Sequence, residues 1–163
     1  MLHFAGPVIL AVDELKNMNR EEFQPETGPT KSVRILLAIF AVGLTAGFAL
    51  AAALDPDPRG FGTHQQLGLP ACQFRQYVGL SCPHCGMTTG FSHIVRGQFG
   101  AAWDSNPAAL PLAVLCAAFI PWFGLMAVRG RWLLTDEPFR WILNSAIGYV
   151  SLAVLIWLLR IAF

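Results

Sequence analysis

Residues Ile35 to Leu54 read ILLAIFAVGLTAGFALAAAL, twenty consecutive positions without a charged side chain. A helix rises about 1.5 Å per residue and bilayer hydrocarbon is about 30 Å thick, so about twenty such residues make one crossing. Lys31 and Arg34 stand before the stretch. Asp55-Pro56-Asp57-Pro58 closes it, because proline has no amide to donate and restricts the residue before it. Two more stretches follow the same rule. Pro107 to Val128 has 22 uncharged residues, opened by capping side chains at Asp104-Ser105-Asn106 and a proline suited to the first turn. Ile142 to Leu159 has 18, between Trp141 and Arg160. Trp103, Trp122, Trp132, Trp141 and Trp157 fall mostly near span ends, where amphipathic rings favour the interface.

The whole composition agrees. Hydrophobic residues are 55% of the 163 and charged residues 13%, against about 25% charged in ordinary soluble domains. The mean hydropathy is +0.51. The expected fold is an all-α integral membrane protein with three transmembrane helices (35–54, 107–128 and 142–159), one membrane domain over 35–163, and a flexible cytoplasmic arm over 1–34. A net charge of +1, without a basic stripe, argues against a nucleic-acid partner. No Asp, Glu, Lys, Arg or His lies inside a span, which argues against an ion or proton pathway. The partner implied is the lipid bilayer, with a second membrane protein or self-association to complete a three-span unit. Gly43 and Gly47 form a small-xxx-small pair of the kind that lets helices approach.

Lys and Arg in short loops favour the cytoplasmic side. Lys16, Arg20, Lys31 and Arg34 precede the first span, and Arg129, Arg131 and Arg140 crowd the loop after the second. The long 55–106 loop holds only Arg59, Arg75 and Arg96. The expected orientation is a cytoplasmic N-terminus and an extracytoplasmic long loop.

That loop carries the chemistry. Cys72, Cys82 and Cys85 are three of the four cysteines, and Cys82-Pro83-His84-Cys85 is a Cys-x-x-Cys. Pro83 suits a first helical turn, so the spacing predicts a helix over 83–95, stopped by Gly97, with Cys82 at its N-terminus. Unpaired backbone N–H groups there stabilise a thiolate. On that reading Cys82 is the attacking thiol, Cys85 the resolving one, and Cys72 a candidate exchange partner. Pro83-His84 is also the dipeptide between the cysteines of a strongly oxidising periplasmic disulfide enzyme with a very acidic thiol. A second reading is metal: Cys72, Cys82 and Cys85 with His84 or His93 make a Cys₃His set for tetrahedral zinc. A third is a static disulfide from Cys72 to Cys82 or Cys85, in a scaffold or assembly subunit without enzymatic activity. Cys116, inside the second span, reads as a small apolar residue. Gly86 and Gly90 leave one face of the expected helix flat, so it should lie in the interface or re-enter the bundle. Phe99 to Asp104 should add a second short interfacial turn.

Cys72, the run Gly79-Leu80-Ser81-Cys82-Pro83-His84-Cys85-Gly86-Met87-Thr88, Gly97, Ala101-Ala102 and Asn106-Pro107 resemble the domain of unknown function 2752 family. The resemblance covers about Cys72 to Val128. It implies a small bacterial multi-pass protein of the inner membrane and no particular activity. The family's arginine after the motif threonine is replaced here by Thr89.

Overall fold

The computed structural model describes residues 28–135 and 137–162, so most of the arm expected over 1–34 lies outside the described residues. The described residues are helical, with no strand among them. In chain order they form α1 (Lys31–Ala53), a 3-10 turn (Thr63–Leu67), α2 (Gln73–Val78), α3 (Met87–Ile94), α4 (Phe99–Ser105), α5 (Ala109–Arg129) and α6 (Pro138–Ala162). α1, α5 and α6 are long and apolar enough to cross a membrane, at the three places the sequence indicates. Three short α-helices, where one or two were expected, occupy the long loop.

α1 and α5 pack against each other. Leu37 and Ala41 of α1 meet Phe123 and Met126 of α5, all buried. The rings of Phe119 and Phe123 stack at 5.0 Å, and Phe40 adds a tilted contact to Phe123 at 6.3 Å. Lipid is as apolar as these side chains, so close van der Waals fit holds such a pair, not release of water. Gly43 and Gly47 have no other part of the chain within 4 Å of where a Cβ would stand, so they do not build this contact. Thr45 bonds its own helix, donating to the Ala41 carbonyl at 2.8 Å.

Two arginines finish the spans. The last carbonyls of a helix have no partner within it. Arg34, from the start of α1, donates to the carbonyls of Ala127 and Val128 at 2.8 and 3.1 Å and so caps α5. At the other end Arg96 donates to Ala51 and Ala52 of α1 at 3.3 and 3.1 Å. Lys31, Arg34 and Arg129 therefore gather at one end of the bundle, and the cysteine loop lies at the opposite end.

That loop is folded onto the helix ends by buried hydrogen bonds. Ser92 is fully buried and donates to the Leu54 carbonyl. The Thr63 and Thr89 hydroxyls, also fully buried, pair at 2.8 Å, and Thr63 Oγ1 accepts from the Asp57 amide at 2.9 Å. α3 packs its Gly90 face against α5. A Cβ on Gly90 would stand 2.7 Å from the Ala109 Cβ, so hydrogen is what fits there. α6 is held at its outer end by Trp157, whose ring N–H donates to the Ser81 carbonyl at 2.7 Å and whose ring meets Phe74 edge-on.

Candidate functional site: a three-cysteine cavity

The expected start of the helix at Cys82 is corrected by the structure. α3 begins at Met87, and residues 82–86 form two successive tight turns closed by Cys85 N–H to Cys82 O and Met87 N–H to His84 O, both at 3.0 Å. The reason is Gly86. It takes φ +85°, and a Cβ there would stand 2.5 Å from the Ser105 carbonyl oxygen and 2.6 Å from that of Gly60. The backbone is pressed so closely against two other strands of chain that a left-handed glycine breaks the helix before it reaches Cys82.

Asn106 holds this turn from below. Its side chain is almost wholly buried. Nδ2 donates to the carbonyls of Pro83 at 3.1 Å and Cys85 at 3.0 Å, while Oδ1 accepts from the Ala108 amide at 3.0 Å. One amide thus joins the start of α5 to the Cys-Pro-His-Cys turn. The sequence marked Asp104, Ser105 and Asn106 as caps of the second span, and the structure corrects this: Asp104 and Ser105 end α4, Ala108 is the cap residue of α5, and Asn106 closes the turn between the two helices.

A cavity of about 460 Å³ opens between the 3-10 turn, the start of α2, the cysteine turn and the start of α3. Cys72, Cys82 and Cys85 all line it, so the structure brings together the three loop cysteines. Cys72 caps the N-terminus of α2, and its carbonyl accepts from the Gln76 amide at 3.1 Å. The thiols of Cys72 and Cys82 are neighbours close to disulfide contact. Cys82 is within electrostatic reach of both Cys72 and Cys85.

The pair is electrically unequal. The Arg75 backbone N–H at the start of α2, helped by the Cys82 thiol and the Phe74 amide, holds the Cys72 pKa below the ordinary thiol value. Burial pushes Cys82 up, and its thiol neighbour adds to the rise. Helix-terminal stabilisation of the thiolate was expected at Cys82. It acts on Cys72, because the helix that starts beside a cysteine is α2.

Cys85 lies near Arg75, whose Nη1 is 3.9 Å from its sulfur. The Arg75 guanidinium also lies over the Phe61 ring at 3.7 Å. Neither Arg75 nor Phe61 stands in any recognisable motif, and nothing in their spacing marks them. His64 borders the same cavity, with Nε2 3.2 Å from the Pro70 carbonyl oxygen. His84 borders it and is exposed. His93 points elsewhere, Nδ1 lying 2.6 Å from Gln98 Oε1. Among the described residues no three His, Cys, Asp or Glu side chains are grouped as a metal-holding set.

The fold and the cavity define a class: a multi-pass membrane protein with a three-thiol centre on a folded loop at one end of its bundle. Residues 72–120 match the model of a family described as Protein of unknown function (DUF2752). The match begins at the capping cysteine and runs into α5, so it covers all three cysteines and leaves out the cavity walls given by Phe61, Gly62, His64, Gln65 and Ala71. No curated protein and no solved structure matches the chain.

Proposed function

We propose that this protein is a membrane-anchored thiol–disulfide exchange protein whose centre is Cys72, Cys82 and Cys85. The observation that carries the reading is the contact of the Cys72 and Cys82 thiols in a cavity that also holds a third thiol, Cys85, beside a guanidinium. A bridge alone needs two cysteines. A third in the same cavity supplies a nucleophile that can open the bridge.

The chemistry balances as disulfide exchange. In the oxidised form Cys72 and Cys82 are joined. The Cys85 thiolate attacks the Cys82 sulfur; an S–S bond forms between Cys82 and Cys85, and Cys72 leaves as a thiolate. The lowered Cys72 pKa makes it a good leaving group. A partner thiolate then attacks Cys85 and releases Cys82. The partner's second thiolate attacks the mixed disulfide and leaves with its own bridge formed. Two electrons and two protons have passed from a dithiol partner to the protein, and a disulfide-bearing partner reverses every step. These roles differ from those expected from the motif alone. Cys82 becomes the central sulfur and Cys85 the one that meets the partner.

We place the centre on the extracytoplasmic side, since the basic segments lie at the opposite end of the bundle and such segments favour the cytoplasm. That compartment is where disulfides persist.

The same contact also favours a second reading, a static Cys72–Cys82 bridge that pins the loop of a scaffold protein. Redox titration of the detergent-purified chain separates the two. The expected result is a reversible midpoint in the range of exchange proteins, about −120 to −230 mV, with the bridge moving between cysteine pairs. A midpoint below about −300 mV, with Cys85 always free, would assign a structural disulfide. Three reduced thiols with about one zinc per chain would instead support the Cys₃His metal set.

A further inference from the structure

The space beside the thiols continues past Cys85. Phe61, Arg75 and Cys85 form a shared wall, and behind it lies a second cavity of about 240 Å³ bordered by Arg59, Ser81, Asp104 and Arg160. Three guanidinium groups from three separate parts of the chain reach this small volume. Two of them share one aromatic ring, the Arg75 group at 3.7 Å from the Phe61 centroid and the Arg59 group at 5.2 Å.

Their charges are unequally compensated. Arg59 is chelated by Asp57, with Nη2 at 2.7 Å and Nε at 3.0 Å from the two carboxylate oxygens. Arg75 and Arg160 form no ion pair among the described residues. Arg75 reaches the Cys85 sulfur, and Arg160 makes only a 3.4 Å contact to the Ser105 carbonyl. Among the described residues Asp104 is the single carboxylate residue on the cavity wall. Even with Asp57 counted beside it, three described cations face two described anions. Like charges drawn into one pocket repel, and an anion placed among them relieves that repulsion. An anion held there lies one side chain away from the Cys85 sulfur.

We propose that the smaller cavity is the anion subsite of the thiol centre, and that the exchange partner is a small thiol or disulfide carrying a carboxylate or phosphate. This rests on the exchange reading and names its substrate class. The partner's acid group sits between Arg75 and Arg160, and its sulfur meets Cys85 across the Phe61–Arg75 wall. With an oxidised partner the Cys85 thiolate attacks the partner's disulfide, forming a mixed disulfide and releasing one partner thiolate. Cys82 then attacks Cys85, forming a Cys82–Cys85 bridge and releasing the second. The partner takes up two electrons, and the two protein thiols give up the two protons. Arg75 and Arg160 are positioning residues in this scheme.

The test compares anionic and neutral reagents at one sulfur. The full chain in mild detergent is reduced, freed of reductant and alkylated with iodoacetate or iodoacetamide, and Cys85 is followed by peptide mass spectrometry. A guanidinium about 4 Å from the incoming carboxylate raises the iodoacetate-to-iodoacetamide rate ratio about fivefold over that of a simple neutral thiol. Arg75→Gln and Arg160→Gln each lower the ratio, inorganic phosphate competes it away, and Asp104→Asn raises it. Arg160→Gln removes only the long Ser105 contact, so it reads the charge with the loop intact. A ratio equal to that of the model thiol, or one that neither arginine variant moves, overturns the proposal. So does tightly held, chloroform-extractable phosphorus lost in Arg160→Gln, which would give the cavity to a lipid headgroup. Exchange with the neutral hydroxyethyl disulfide reads the underlying activity separately. Exchange without anion preference sinks the subsite alone; anion preference without any exchange sinks the redox reading and the partner assignment with it.

Discussion

Asn106→Asp is the substitution that probes the joint between fold and site. The two side chains have the same shape, so no cavity is created. The bond from the Ala108 amide to Oδ1 is kept. Nδ2, which donates to Pro83 O at 3.1 Å and Cys85 O at 3.0 Å, becomes an oxygen facing two carbonyl oxygens. Two hydrogen bonds at about 0.5–1.5 kcal/mol each are lost and two buried acceptors lose a donor, for a total of about 3 kcal/mol. For a chain of this size that is a fall in Tm of about 6–12 °C. Burial and the facing carbonyls raise the new carboxyl's pKa in the folded protein above its unfolded value. The sign follows: the penalty is complete above the folded pKa and fades as pH falls toward the unfolded one, because a protonated carboxyl can donate to one carbonyl again. The deficit therefore shrinks between about pH 7 and pH 4. Asn106→Ala loses all three bonds and keeps its deficit at every pH. The assay is a thermal ramp in detergent, read by the exposure of Cys82 and Cys85 to a thiol-reactive fluorophore. A variant as stable as the native chain, or a deficit that acid leaves unchanged, would refute the proposed clamp.

Other substitutions test neighbouring parts of the same reasoning. As pH falls from the alkaline side, alkylation of Cys82 should fade before that of Cys72, since burial raises the first pKa and backbone N–H groups lower the second; fading in the reverse order would refute the assigned electrostatics. Gly90→Ala should destabilise α3 against α5 by about 1–3 kcal/mol through overpacking, and Ala109→Gly should recover part of that loss, giving a clear coupling in a double-mutant cycle; strictly additive effects would deny the contact. Ser92→Ala strips the Leu54 carbonyl of a buried donor and should cost about 1–3 kcal/mol in the same thermal assay. The Asp57 carboxyl, held at about 2 by its bonds from the Arg59 side chain and amide, should move back toward the usual carboxylate range in Arg59→Gln, followed by carboxyl NMR. Asp57's contribution to stability is present above the unfolded carboxylate range and is lost as pH falls toward about 2.

The three spans were legible because the bilayer imposes a length on any helix that crosses it, and runs such as Ile35–Leu54 meet that length without a charge. Their partners were less legible. Gly43 and Gly47 fit a packing motif, yet among the described residues no neighbour crowds the place of a Cβ at either, whereas the α1–α5 seam is built from Leu37, Ala41, Phe123 and Met126, which look like any other apolar residues of a span. In a membrane segment nearly every position is apolar, so hydrophobicity identifies the span and says little about which face meets protein. The polar residues that anchor the ends are more telling. Arg34 and Arg96 were counted only as charges for orientation, and each proves to cap the C-terminus of a span.

The thiol centre shows the same division between composition and geometry. That Cys72, Cys82 and Cys85 belong together followed from their occurrence in one short loop. Which thiol is acidic depended on where a helix begins, and Pro83 suggested the wrong place. Gly86 carried the contrary signal: a glycine directly after the second cysteine marks a chain reversal as readily as a flat helix face. Its left-handed backbone is required because the carbonyls of Ser105 and Gly60 leave no room for a side chain. Those carbonyls come from positions far along the chain, so no local pattern announces them. The same holds for Arg75 and Phe61, which meet over the cavity only because α2 is folded across the 55–62 segment. The motif supplies two of the three sulfur atoms; where α2 begins sets the lower pKa at Cys72, and long-range packing on Gly86 and Asn106 sets the path of the Cys82–Cys85 turn.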